Sequence, residues 1–206
     1  GDVSNRIQAS ELQDKGVLAN CHVNVLQTQD HPQFKTYGEE LKWLTTDKTR
    51  MKWVANTIKD ISSSGNTLIL VDRISAGEIL EEQIEDAVFV SGSTKNTDRK
   101  EQYDEISTAT NKVIIATYGV AAVGINIPRI FNLVLIEPGK SFVRVIQSIG
   151  RGIRKAEDKD SVQIWDITSS CKFAKRHLGA RKKFYKEANY PYNIEKINYE
   201  NPYTRR

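Results

Sequence analysis

A chain of 206 residues with 39% hydrophobic and 27% charged side chains is long enough to bury a core as one main domain. It is too polar to hold a membrane span of about 20 apolar residues. Its net charge of +4 names no partner by itself, but the distribution is uneven: Ala76–Asp86 holds five acids and no base, and Cys171–Lys186 holds seven Lys or Arg and no acid.

In chain order, residues 1–45 begin as a polar stretch of mixed charge that does not read as a signal peptide. Gly1 in place of an initiator Met reads as a processed or truncated product. Within this stretch "HVNVLQT" from His22 alternates and predicts an edge strand. Residues 46–61 place Met51, Val54, Ala55, Ile58 and Ile61 at helical spacing, with Asp47 as the cap. The runs "NTLILVD" from Asn66, "AVFV" from Ala87, "NKVIIAT" from Asn111, "FNLVLIE" from Phe131 and "SVQIWDI" from Ser161 are short strands. Several lack polar alternation, which is the pattern of strands buried on both faces.

Helical segments fall between these runs at 74–85, 97–106 and 141–153. The last carries Phe142, Val145, Ile146 and Ile149 on one face. Strands alternating with helices predict right-handed crossovers, hence an α/β three-layer domain with a mainly parallel sheet covered on both faces. A basic helix follows from Cys171. The closing "ANYPYNIEKINYENPYTRR", with two prolines and four tyrosines, reads as an extended or fraying tail.

Parallel α/β sheets commonly hold nucleotides, so a phosphate loop G-x-x-x-x-G-K-[ST] is the first feature to seek. "LVLIEPGKSF" supplies Gly139, Lys140 and Ser141, but Val134 stands at the first glycine position. "GVAAVGIN" has Gly119 and Gly124 at the right separation, with Ile125 where Lys is required. No G-x-G-x-x-G follows a strand. Glu137 and Asp166 are single carboxylates, read as strand-end and turn residues, so no acid pair for magnesium is expected. Cys21 and Cys171, far apart in a chain without a secretory signal, read as reduced thiols. His22 and His177 lack zinc spacing, and no metal site is expected.

The stretch "QSIGRGIRK" is different. Taking about 100° per residue, Gln147, Arg151 and Arg154 fall within an arc of about 60° on one helix face. Gly150 and Gly152 cost a helix roughly 0.5–1 kcal/mol each relative to Ala, so close approach of a ligand or another backbone accounts for them better than an exposed face does. Guanidinium groups stay charged and donate paired hydrogen bonds that match phosphate. Two of them with no phosphate cradle in the same chain predict half of an ATP site, completed by something outside this sequence.

Here the sequence resembles the second motor lobe of superfamily-two helicases, the RecA-like lobe carboxy-terminal to the one with the phosphate loop. Gln147, Gly150, Arg151 and Arg154 match the family's Q-x-x-G-R-x-x-R element. The resemblance implies that Arg151 and Arg154 are catalytic arginine fingers on ATP phosphates and that Gln147 and Gly150 line the nucleotide. "VIIATYGVAAVGINIP" resembles the preceding element. It implies that Thr117 touches a strand phosphate and that Gly124 and Asn126 lie near the nucleotide. Asn126 replaces a common Asp, and the spacing from Thr117 to Gly124 is one residue longer than usual. Weaker matches imply backbone contacts for Arg73 and Gly92, for which loop and capping roles are equally available. The resemblance spans roughly residues 50–168 and is most similar to phage recombination and repair helicases of the UvsW type and restriction-type relatives.

What this implies is an ATP-dependent DNA helicase or translocase acting in recombination or repair, inactive as an isolated chain. Its cofactor would be ATP with Mg, bound mainly by a missing N-terminal lobe. Its partners would be that lobe and DNA, whether single-stranded, branched or duplex, with an RNA hybrid as an alternative, and no membrane. The expected location is the cytoplasm, the host's if the gene is viral. The implied division is 1–45 as the connection from the missing lobe plus an edge strand, 46–170 as the lobe, and 171–206 as basic helix and tail. On the basic helix, Lys172, Lys175 and Arg176 read either as a solvated face or as DNA contacts. A non-enzymatic nucleic-acid-binding or scaffold domain on a degenerate motor fold is the competing reading. A small-molecule transferase lacks any nucleophile, base or cofactor loop here.

Overall fold

The computed structural model describes residues 21–92, 98, 100–101, 111–123, 130–152 and 161–200, with the backbone alone for 150–152. The elements in chain order are β1 (Cys21–Thr28), α1 (Tyr37–Thr46), α2 (Lys48–Ser62), β2 (Thr67–Val71), α3 (Ile74–Gln83), β3 (Val88–Val90) and β4 (Val113–Thr117). There follow α4 (Tyr118–Ala122), β5 (Asn132–Ile136), α5 (Phe142–Gly152), β6 (Val162–Ser169), α6 (Lys172–Glu187) and β7 (Tyr192–Ile197). The helix expected at 97–106 falls mostly outside the described residues.

Seven strands form one sheet in the order β3-β4-β2-β5-β6-β1-β7, and each described pairing is parallel. The continuous apolar runs occupy its middle, as strands covered on both faces must. Side chains alternate across the sheet: Leu68, Leu70, Leu133 and Leu135 pack with Phe142, Val145, Ile146 and Ile149 of α5 and with Leu178, Phe184 and Tyr185 of α6. Ile69, Val71, Val134 and Ile136 point the other way, onto Met51, Val54 and Ile58 of α2 and Leu80 of α3. The three-layer expectation therefore holds. Asp47 caps α2 as expected, accepting from the Arg50 N–H at 3.0 Å.

Two expectations are corrected. β1 is not an edge strand: it lies between β6 and β7, and its polar positions are satisfied laterally, with Asn24 Nδ2 donating to Gln163 Oε1 at 3.1 Å. The closing segment is not merely a tail, because Tyr192–Ile197 adds a parallel strand to β1, begun by the Val23 N–H donating to the Pro191 carbonyl at 2.8 Å. Pro191, just before the strand, suits this edge position, where one edge of the backbone needs no partner strand.

A parallel sheet brings all its carboxyl ends to one rim, and here that rim is polar. Arg50, fully buried, donates from Nε to Thr28 Oγ1 at 3.1 Å and from Nη2 to Glu137, and lies 3.7 Å from Asp30. Arg181, 2% exposed, grips Asp166 with two nitrogens and gives Nη1 to the Pro138 carbonyl at 2.7 Å. Glu137 and Asp166 are thus acceptors of buried arginines rather than simply the strand-end and turn residues expected, since a carboxylate inside a low-dielectric interior must find a cation.

Candidate functional site

The same rim gathers the residues implied to meet a nucleic-acid strand. Arg73 follows β2 at the start of α3 without capping it through its side chain. It is half-buried and donates from Nη2 to the Gly38 carbonyl at 3.3 Å. Gly92 follows β3 and is exposed. Thr117 ends β4 and caps α4, its Oγ1 accepting from the Val120 N–H at 3.2 Å.

The arginine-bearing element rides on α5. Its apolar face is fully packed, with Phe142, Val145, Ile146 and Ile149 at most 3% exposed, and this fixes the helix's rotation. Gln147 is half-buried, and Gly150 and Arg151 lie in the final turn. Ser148, beside Gln147, donates its hydroxyl to the Ala122 carbonyl at 2.9 Å. That bond ties α5 to the end of α4, from which the chain continues toward Gly124 and Asn126. Gly124, Asn126 and Arg154 lie outside the described residues.

The basic helix α6 projects Lys172, Lys175 and Arg176 into solvent. Arg181 is a correction to the basic-face reading, because it is spent inside on Asp166 and leaves six of the seven cations of this stretch outside or half-buried. Phe184 and Tyr185 are buried and hold the helix to the core, whereas Phe173 is half-buried. Tyr185 Oη donates to Asp166 Oδ2 at 2.7 Å. The helix N-terminus is capped from elsewhere: Glu40 of α1, 1% exposed, accepts from the Phe173 N–H at 3.0 Å and the Ala174 N–H at 2.9 Å. Carboxylates favour that position because unsatisfied N–H groups and the helix dipole converge there.

Helix α1 was absent from the sequence reading, and it lies across the rim. Through Arg73 and Gly38, Glu40 and the α6 N-terminus, and Leu44 carbonyl and Arg50, it meets segments following β2 and β6 as well as the buried arginine layer. Its signal was available: Thr36 and Glu39 have the spacing of a capping box, and Thr36 Oγ1 accepts from the Glu39 N–H at 3.2 Å.

Electrostatics of the rim follow burial. Burial pushes the Glu137 carboxyl up to about 7, against the pull of the Arg50 and Arg181 guanidiniums. Burial raises Cys21 to about 12 and Cys171 to about 11. Both thiols are free and buried, so neither suits nucleophilic chemistry. Among the described residues no group of His, Cys, Asp or Glu is arranged to hold a metal ion, and no helix is long and apolar enough to cross a membrane.

Compared with known proteins, residues 49–156 match the helicase conserved C-terminal domain family. The chain is 26% identical over 195 residues to the ATP-dependent DNA helicase uvsW of Enterobacteria phage T4, covering 89% of this chain and 39% of the phage protein. It therefore spans about two fifths of the curated relative it matches. The crystal structure of T4 UvsW superposes with a TM-score of 0.75 at 21% identity, covering 87% of this chain and 42% of that one. The ATP-dependent Type ISP restriction-modification enzyme LlaBIII bound to DNA gives a TM-score of 0.59 at 14% identity, covering 95% of this chain and 17% of that one. The fold is RecA-like, as the sequence led us to expect.

Proposed function

The chain belongs to the helicase conserved C-terminal domain family, and from that premise we propose that it is the second motor lobe of an ATP-dependent DNA helicase or translocase serving recombination or repair. The observation that carries this reading is the joint between α4 and α5. The Ser148–Ala122 bond holds the end of α4 against the helix bearing Gln147, Gly150 and Arg151, and the sequence runs on from there to Gly124 and Asn126, residues that a nucleotide between two lobes would need from this side. That the phage relative is a DNA helicase favours DNA over RNA.

The donor set fits a phosphate and not a magnesium ion. Gln147, Arg151 and Arg154 offer hydrogen-bond donors and fixed positive charge. The buried carboxylates Glu137 and Asp166 are already committed to Arg50 and Arg181, so Mg would be held by the first lobe. ATP, when bound, supplies the free energy of phosphoryl transfer. Arg151 and Arg154 orient its terminal phosphate and stabilise the charge that develops there, an effect worth about 10³–10⁵ in rate for arginine fingers. Arg73, Thr117 and Gly92 hold the strand by its backbone along the rim, which carries no sequence information and so lets the protein travel. Lys172, Lys175 and Arg176 add charge on the same side.

On this reading residues 46–170 are the lobe proper, 1–45 enter from the first lobe, and 171–206 add the basic helix and tail. The protein works in the cytoplasm, and the chain alone does not hydrolyse ATP. The test uses the full-length protein: Arg151→Ala lowers ATPase by about 10³ or more while the Kd for single-stranded DNA stays within roughly threefold. Equal loss of both activities ends the assignment.

A further inference from the structure

The first turn of α1 and the first turns of α6 bring three rings together on the rim. Tyr37 sits with its ring edge-on to His177, centroids 4.9 Å apart, and 6.3 Å from Phe173. The Phe173 ring in turn lies under two cations, with Lys172 Nζ at 5.3 Å and Arg176 Cζ at 5.6 Å from its centroid. Tyr37 remains 36% exposed, and Phe173 and His177 are half-buried.

Packing of α1 against α6 does not require these rings to face solvent. That work is done further along by Leu44, with Phe34 and Trp43, against Cys171 and Ala174, and by the Glu40 cap. Tyr37 adjoins Gly38, whose carbonyl receives Arg73 Nη2 at 3.3 Å. A half-exposed aromatic cluster with Lys172 and Arg176 over its Phe173 ring and Arg73 bonded to the carbonyl next to Tyr37, against the Asp72, Glu137 and Glu40 carboxylates that also act on Tyr37, is complementary to a group that is flat on its faces and anionic at its edge. A nucleotide of a single strand is such a group: its base stacks on rings and its phosphate meets cations.

We propose that Tyr37, Phe173 and His177 form a base-stacking subsite for single-stranded DNA, separate from the backbone contacts of the rim. The subsite rests on the nucleic-acid reading above and adds to it a contact with the base itself. His177 supports it as an uncharged ring, because burial, with the Arg181, Lys140 and Arg176 charges, lowers its pKa. Gly139 sets the space behind Tyr37: a Cβ there would lie 3.1 Å from the Tyr37 hydroxyl, so a side chain at 139 would crowd the ring.

The test compares, by fluorescence anisotropy of the full-length protein, a dye-labelled oligothymidylate with an abasic oligomer of equal length. Wild type should prefer the base-containing strand. Tyr37→Ala should narrow that preference by roughly 5-fold to 150-fold, the range of one stacking contact, and Tyr37→Phe should keep it. Arg73→Ala should weaken both oligomers alike. Equal wild-type affinity for the two oligomers, an unchanged preference in Tyr37→Ala, or parallel weakening of both by Tyr37→Ala would each overturn the subsite. Binding of neither oligomer by wild type would overturn the nucleic-acid reading itself, a separate result.

Discussion

Arg181 and Asp166 face each other as a two-point pair inside the sheet's polar rim, Nε to Oδ2 at 2.8 Å and Nη2 to Oδ1 at 2.9 Å. The third guanidinium nitrogen holds the Pro138 carbonyl on the way into α5. One side chain therefore joins the basic helix, strand β6 and the approach to the arginine-bearing helix. Arg181→Ala strands the Asp166 carboxylate in the interior and should cost about 3–5 kcal/mol. Chemical denaturation measures it, and Arg181→Met combined with Asp166→Leu should recover most of the loss.

The Glu40 cap makes a smaller prediction. Glu40→Ala frees the Phe173 and Ala174 N–H groups at the buried start of α6 and should cost about 0.5–2 kcal/mol, as for loss of a helix cap. Glu40→Gln keeps one acceptor oxygen and should lose less. Equal midpoints for the two variants would refute the cap as the source of the effect.

Gly77 lies inside α3, where Ala would ordinarily gain about 1 kcal/mol. A Cβ at Gly77 would fall 2.4 Å from the Phe89 ring. Overpacking of this kind costs about 1–3 kcal/mol, so Gly77→Ala should destabilise. A rise in melting temperature would show that Phe89 yields.

Glu137 gives the fold a pH dependence. Its carboxyl pKa rises from 4.5 to about 7 on folding, so between those values the folded state holds more protons than the unfolded one. Stability from this group is full below about pH 4.5 and is lost as pH rises through about 7. Denaturation midpoints between pH 5 and pH 8 should fall with pH more steeply in wild type than in Glu137→Gln. Parallel curves would show that the carboxyl does not titrate in this window.

Replacing Lys172, Lys175 and Arg176 together by Ala should flatten the salt dependence of single-strand binding. Each phosphate contact contributes about 0.7 to the slope of log K against log salt, so the slope should fall by about 2. An unchanged slope would assign these cations to solvent.

The sheet's centre was legible because β2, β4 and β5 are covered on both faces, and a continuous apolar run records that condition directly. The α2 cap and the packed face of α5 were legible for a similar reason, since each depends on residues three or four apart. What escaped depended on distant partners. The counter-ion of Glu137 is Arg50, 87 residues away, so nothing near Glu137 announced an ion pair. The interior place of β1 follows from β7, whose residues are mostly exposed and polar and resemble a tail. On the site side, Gln147 and the backbone of Arg151 fall on the expected helix, and Arg73, Gly92 and Thr117 each follow or end a strand at one rim. Tyr37 was missed because helix α1 was missed, although Thr36 and Glu39 marked its start.

The far half of the sheet joins the two ends of the sequence: Asn24 on β1 meets Gln163 on β6 across 139 residues, and β7 then closes on β1. Ribosomes add about 5–20 residues each second. A newly made β1 thus waits on the order of ten seconds for its neighbours, with Val23, Val25 and Leu26 uncovered. During synthesis the early strand is an adhesive surface, and its shielding until β6 emerges is a demand placed on the cell rather than on the finished protein.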